Sequence, residues 1–278
     1  MRLYANVVLA FILVPVYNTI SIGEGGIAMN TQNLEQIFHN YADNFLQLNN
    51  STHAEYYKWR IAKEFKPLMD TALASSDSSF AARLSEVSVF TENLINGGRV
   101  QPFSGLVQFA KQKPDAVRSL FCDLFDGEDD LSTLESRIIQ FMERSEELRE
   151  DLSPKNFKYK NDPHSVTAYL ALYDPDRHYI FRYSSARVFA KSVGFADDWR
   201  SGFSFKPDIY YRMCDELVAT MKANSALMAV DQSRFTGEIP DIDPSTLHRD
   251  PEKHILAFDI IYCCETYGLF HGKDEYND

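Results

Sequence analysis

Apolar side chains return every three or four residues in segment after segment of this 278-residue chain, and only one short stretch alternates them instead. The first spacing gives a helix one buried face and the second gives a strand two unlike faces, so helices packing on helices must carry the fold. Leu34, Ile37, Phe38, Tyr41, Ala42, Phe45 and Leu46 form the first stripe. Tyr57, Ile61 and Phe65 form the second, which Pro67 is expected to interrupt, with Trp59 off the stripe as a packing residue. Leu84, Val87 and Leu94 follow, then Val117, Leu120, Phe121 and Leu124 after Pro114. Ser132 and Glu135 fit a capping box ahead of Leu134, Ile138, Phe141 and Met142. Pro207 opens a long segment with Ile209, Met213, Leu217 and Met221 four apart. Asp250 as cap and Pro251 in the first turn open a last helix, apolar almost all round from Ile255 to Tyr262; such a helix belongs inside a core or under a partner.

The alternating stretch lies in the best punctuated part of the chain, residues 162–199. Asp162 is a good cap and Pro163 suits a first helical position, where its missing N–H costs nothing. Asp174-Pro175-Asp176 breaks that helix, and His178 to Tyr183 reads as a short strand, with Tyr179, Phe181 and Tyr183 on one face. Ser184 or Ser185 caps the next helix, and Gly194 supplies the left-handed residue after it. The expectation is a mainly α, multi-helix globular domain with a short strand near 178–183 and room for a small sheet. Its division is residues 29–151, helical, and 152–278, α with some β, packed together as one module.

Residues 1–28 stand apart. Arg2 and the apolar run from Val7 to Val14 resemble a signal peptide, with Gly26-Ile27-Ala28 as a weak cleavage site, yet the run is too short to span a bilayer. The other reading is upstream sequence translated in frame, with Met29 the functional start. We expect the second, hence a cytoplasmic protein and no membrane partner, with export through residues 1–28 as the alternative. Cys122, Cys214, Cys263 and Cys264 have no C-x-x-C spacing and fit buried free thiols of a reducing compartment.

No G-x-x-x-x-G-K-[ST] phosphate loop, H-E-x-x-H metal motif or G-x-S-x-G nucleophile elbow occurs, and Pro175-Asp176 is not followed by the acidic-x-Lys of a metal nuclease. His254 is expected to be structural. No cofactor, metal or catalytic residue is assigned, and a non-enzymatic role is expected. Charge gives more. The net charge of −12 excludes a surface that is basic throughout, but it is unevenly spread: residues 121–151 carry a balance of −8, and residues 177–206 one of +4. In the second stretch basic residues interleave with aromatic ones, the composition that holds a phosphate backbone and stacks a base. The candidate nucleic-acid contacts are Arg177, Arg182, Arg187, Lys191 and Arg200, with Trp199 as the stacking residue.

Tyr56-Tyr57-Lys58-Trp59, the run from Val117 to Asp126, Arg137-Ile138 with Phe141, Tyr169-Leu170-Ala171-Leu172 through Pro175 to Tyr183, and His254-Ile255-Leu256 with Phe258 to Tyr262 together resemble the long region ahead of the motor domain in McrB-like AAA+ proteins. Those are the NTP-driven subunits of modification-dependent restriction systems. The resemblance spreads from about Leu34 to Tyr262 and implies a part in defence against foreign DNA, in which this region recognises the target while a motor and a separate nuclease act. This sequence stops at Asp278, where such a protein would go on to its phosphate loop, so the expectation is a freestanding or truncated, non-catalytic DNA-recognition module. The alternative is a protein-protein adaptor that docks its acidic 121–151 face and greasy last helix onto a separate AAA+ motor or nuclease subunit.

Overall fold

A computed structural model describes residues 28–270 apart from 51, 96, 98, 128–129, 197–204 and 241. Thirteen α-helices, and no strand, occur among the described residues. They are α1 (Thr31–Asp43), α2 (Phe45–Leu48), α3 (Tyr57–Leu73), α4 (Asp77–Phe90), α5 (Glu92–Ile95), α6 (Pro102–Ala110) and α7 (Pro114–Phe125). The chain continues through α8 (Leu131–Leu152), α9 (Pro163–Tyr173), α10 (Tyr183–Ser192), α11 (Pro207–Ala223), α12 (Ser225–Ser233) and α13 (His254–Thr266). The protein is mainly α, as the spacing predicts, and the predicted stripes are buried almost residue for residue.

The core is one continuous set of buried side chains. On one side α3, α4, α6, α7, α8 and α9 pack together. Their aromatic rings converge on Tyr169: Phe103, Phe121 and Phe141 lie 5.3, 5.6 and 5.7 Å from it, and its hydroxyl donates to Asn161 Oδ1 at 2.9 Å. On the other side α13 lies against α1, α10 and α11. Apart from its ends and Tyr262, α13 is buried, which answers its apolar composition: it is a core helix, so the greasy face expected to dock a partner is already covered.

Several expectations need correction. The 178–182 segment forms no strand; it is an irregular connection, extended at Arg182. Its backbone is served by side chains instead: Thr167 Oγ1 accepts from the Phe181 N–H at 3.0 Å, and the Tyr210 hydroxyl donates to the Ile180 carbonyl at 2.7 Å. Burial on an α-only scaffold thus satisfies a segment that alternation marks as β. Pro67 does not end α3, which runs on through Phe65, Met69 and Ala72 because their burial outweighs the lost backbone bond. Helix α10 starts at Tyr183, ahead of Ser184 and Ser185, with Arg182 at the cap position and no side-chain cap. Asp130, not Ser132, caps α8. Asp250 sits at φ +48° and accepts from the Ile255 and Leu256 N–H groups, but the helix it serves begins only at His254. Leu46 is exposed because Asn44 breaks the first stripe into α1 and α2. Cys122 is exposed, unlike the other three thiols. The Asp162 cap with Pro163 at the first position, and Gly194 at φ +66°, are as expected.

Candidate nucleic-acid interface

Helix α10 sorts the interleaved basic and aromatic residues by face. Ser185, Ala186, Phe189 and Ala190 turn inward, where α10 packs on α13 and the Ser185 hydroxyl donates to Glu265 Oε2. Arg187 and Lys191 lie one turn apart on the outer face and are exposed. Arg187 donates from Nη1 to the Tyr183 hydroxyl at 2.9 Å, with its guanidinium carbon 5.5 Å from that ring's centre. Half-buried Arg182 places its guanidinium 5.1 Å from the Tyr262 ring centre on α13. Lys191 lies in the last turn of the helix, where the carbonyl end of the dipole favours a cation. Among the described residues, none of these three cations forms an ion pair with a carboxylate. Elsewhere pairing is common: Arg83 with Glu86, Arg118 with Asp77, Lys206 with Glu135, Lys222 with Glu252.

The other candidates divide differently. Arg177 belongs to the preceding turn and lies 3.4 Å from the Asp174 carboxylate. Trp199 and Arg200 lie outside the described residues. Of the aromatic residues in and just after this basic stretch, Tyr179, Phe181, Phe195, Phe205 and Tyr210 are buried in the core. Among its described residues, only Tyr183 and Tyr211 are partly open, and Tyr183 is engaged with Arg187. The structure therefore puts Arg187 and Lys191 on the outer face of α10, turns Arg182 at the cap position toward Tyr262 of α13, and assigns the described aromatic residues mainly to packing.

A second constellation escaped the sequence. Lys58 on α3, fully buried, donates to Glu55 and to Asp259 on α13. Tyr41 on α1 donates to the other Asp259 oxygen at 2.5 Å. Arg234, just after α12, bonds the Tyr41 hydroxyl and the Asn49 side-chain oxygen, donates to Asp231 at 3.2 Å and stands 3.7 Å from Asp259. Its guanidinium is 3.9 Å from the Trp59 ring centre and 4.5 Å from that of Phe45. Lys253 closes the network on Asp231 at 2.8 Å, and the Tyr267 hydroxyl donates to Glu55. Three cations thus face three carboxylates. Burial alone would discharge Lys58, but Asp259, aided by Tyr57, Cys263 and Glu55, holds its amine well above the usual lysine range. Such an ammonium is no nucleophile, and the group reads as a structural tie between four parts of the chain. A signal did exist in Asp259, a carboxylate inside an otherwise apolar helix, which must find a buried partner.

Other reactive groups are muted by their surroundings. Burial raises the Cys214, Cys263 and Cys264 thiols, so none is a ready thiolate. Burial, with Arg177, Arg137 and His254, pushes His178 down to about 4, while its Nδ1 meets the Tyr211 hydroxyl at 3.0 Å. His254, also lowered by burial, lies against Tyr179 with ring centres 4.0 Å apart, a packing role as expected. Among the described residues no group of three or more His, Cys, Asp or Glu is placed to hold a metal ion, and no helix is long and apolar enough to cross a membrane. No family model, curated protein or solved structure matches the chain.

Proposed function

We propose that this protein is a non-catalytic DNA-recognition module of a restriction-type defence system, and that α10 is its contact with the phosphate backbone. The observation that carries the reading is the exposed pair Arg187 and Lys191 on the outer face of α10, with Arg182 at its cap position, all three without carboxylate partners among the described residues of a chain whose net charge is −12. Cations at the surface that no internal acid neutralises are what a phosphate backbone displaces counterions to reach. The sequence resemblance to the region ahead of McrB-like motors supplies the biological setting. Arg177 flanks the face but shares its charge with Asp174.

The test is a titration of the protein from Met29 to Asp278 against duplex and single-stranded DNA, modified and unmodified, at two salt concentrations. Affinity falling with salt is expected. Arg182→Ala with Arg187→Ala should weaken binding to every sequence alike and reduce the slope of log K against log salt by about two, one for each phosphate left unneutralised. Wild-type protein that fails to bind at low salt overturns this reading. The protein-adaptor reading then takes its place, resting on the exposed Glu143, Glu147 and Glu150 of α8 as a docking face for a motor or nuclease subunit.

A further inference from the structure

Residues 155–160, K-N-F-K-Y-K, carry three lysines and no acid in the connection between α8 and α9. The two rings of this turn go opposite ways. Tyr159 packs inward, its ring centre 5.9 Å from that of Phe109 on α6, and the neighbouring Lys158 carbonyl accepts from the Gln101 N–H at 2.7 Å. Phe157 turns outward and is 70 % exposed, the one exposed aromatic ring among the described residues. The ring is nevertheless held. Arg149, almost fully buried, places its guanidinium carbon 4.8 Å from the ring centre. That guanidinium is itself fixed, since Nε and Nη2 donate to the two Glu146 oxygens at 2.8 and 2.9 Å and Nη1 donates to the Pro154 carbonyl at 2.8 Å. A cation locked in this way restrains the ring without covering it, which lowers the ordering cost of any contact the ring makes.

Lys155, Lys158 and Lys160 flank the ring in sequence, and all three are exposed. Lys160 Nζ lies 3.6 Å from Glu146, the carboxylate that also holds Arg149, whereas Lys155 and Lys158 form no ion pair among the described residues. An acidic protein surface would use these charges and leave the ring idle, and an apolar one would use the ring and desolvate the charges. A nucleic-acid strand uses both, because its bases stack on a ring while its phosphates take the cations. We infer that Phe157 and its lysines form a second nucleic-acid site, in which an unpaired base stacks on Phe157 and the adjoining phosphates lie on Lys155, Lys158 and Lys160. Bases inside a duplex have their faces covered by their neighbours, so the ligand is a single strand. The site goes beyond the α10 contact proposed above and shares no residue with it.

The probe is an oligothymidylate of about 20 nucleotides titrated into the full chain at two salt concentrations, with a duplex of the same length in parallel and thermal unfolding of each variant recorded. Phe157→Ala should lower single-strand affinity about tenfold, the worth of one stacked base, while leaving both the salt slope and the duplex affinity unchanged. Phe157→Tyr should bind within about twofold of wild type because the ring is kept, and the exposed position spares the core in both variants. Lys155→Ala with Lys158→Ala should weaken single-strand binding and reduce the slope of log K against log salt by about 1.4. A Phe157→Ala protein that binds the single strand as wild type does overturns the inference, and so does an equal loss on duplex and single strand. Wild-type protein that binds duplex but not single strand overturns it and leaves the α10 reading standing. Single-strand binding that survives Arg182→Ala with Arg187→Ala but falls with Phe157→Ala supports the second site whatever becomes of the first. Binding to neither strand form overturns both.

Discussion

Asp259 is fully buried and is shared by Lys58, Tyr41 and Arg234, which reach it from three other parts of the chain. Removing one member of a buried, hydrogen-bonded ion set leaves the rest uncompensated in a medium that solvates charge poorly. Asp259→Asn, nearly the same shape, should therefore destabilise the protein by about 3–5 kcal/mol, read as a lower denaturant midpoint. A change below about 1 kcal/mol would mean that the cations find other partners. At this scale the sequence is half legible. An aspartate between Phe258 and Ile260 is visibly out of place, whereas its lysine partner 201 positions earlier cannot be found by local spacing. The same holds for the candidate site: Arg187 and Lys191 stand four apart, about one helical turn, but that Tyr179 and Phe181 belong to the core, while Arg182 lies against Tyr262, is settled only by tertiary packing.

Among the elements, legibility follows amphipathicity. Helices α7 and α8 have a wet and a dry side, and their buried faces were readable in full or nearly so. Helix α6 has almost no wet side, since Phe103, Gly105, Leu106, Val107, Phe109 and Ala110 are all buried, and with no polar face its period disappears from the sequence. The 178–182 segment misleads for the opposite reason: alternation marks a half-buried strand, but a ladder also needs a partner, and no strand occurs among the described residues. Gly105 records how closely α6 is covered. A Cβ there would stand 2.5 Å from the Tyr159 Cβ and 3.1 Å from its Cα, so backbone as well as side chain must give way. Gly105→Ala should cost about 1–3 kcal/mol by overpacking despite the better helix propensity of alanine, seen as a drop in Tm. A raised Tm would show that the 157–159 turn moves freely.

For the molecule as a whole, two buried groups give the pH dependence of stability opposite signs. His178 titrates near 4 in the folded state against an ordinary value of 6.5, so the unfolded chain binds more protons between those values and acidification across that window costs stability, on the order of 3 kcal/mol in full. Burial, with Asp231 nearby, raises Asp250 to about 7 from 3.8. Here the folded chain holds the extra proton, and acidification from about 7 to 3.8 adds stability of similar order. Compared with wild type, His178→Gln should gain relative stability as pH falls from 6.5 to 4, and Asp250→Asn should lose it. Denaturant titrations at four pH values would measure both, and parallel curves would contradict the assignment. The central place of α13 carries a consequence in time. Lys58 of α3 has Glu55 beside it from the start, but it and the α1 tyrosine meet Asp259 only when α13 is made, so during synthesis at roughly 5–20 residues per second they wait about 10–40 s for it. Helices α3 to α9 can pack on one another in that interval, whereas the faces of α1, α10 and α11 that lie on α13 stay uncovered until it leaves the ribosome.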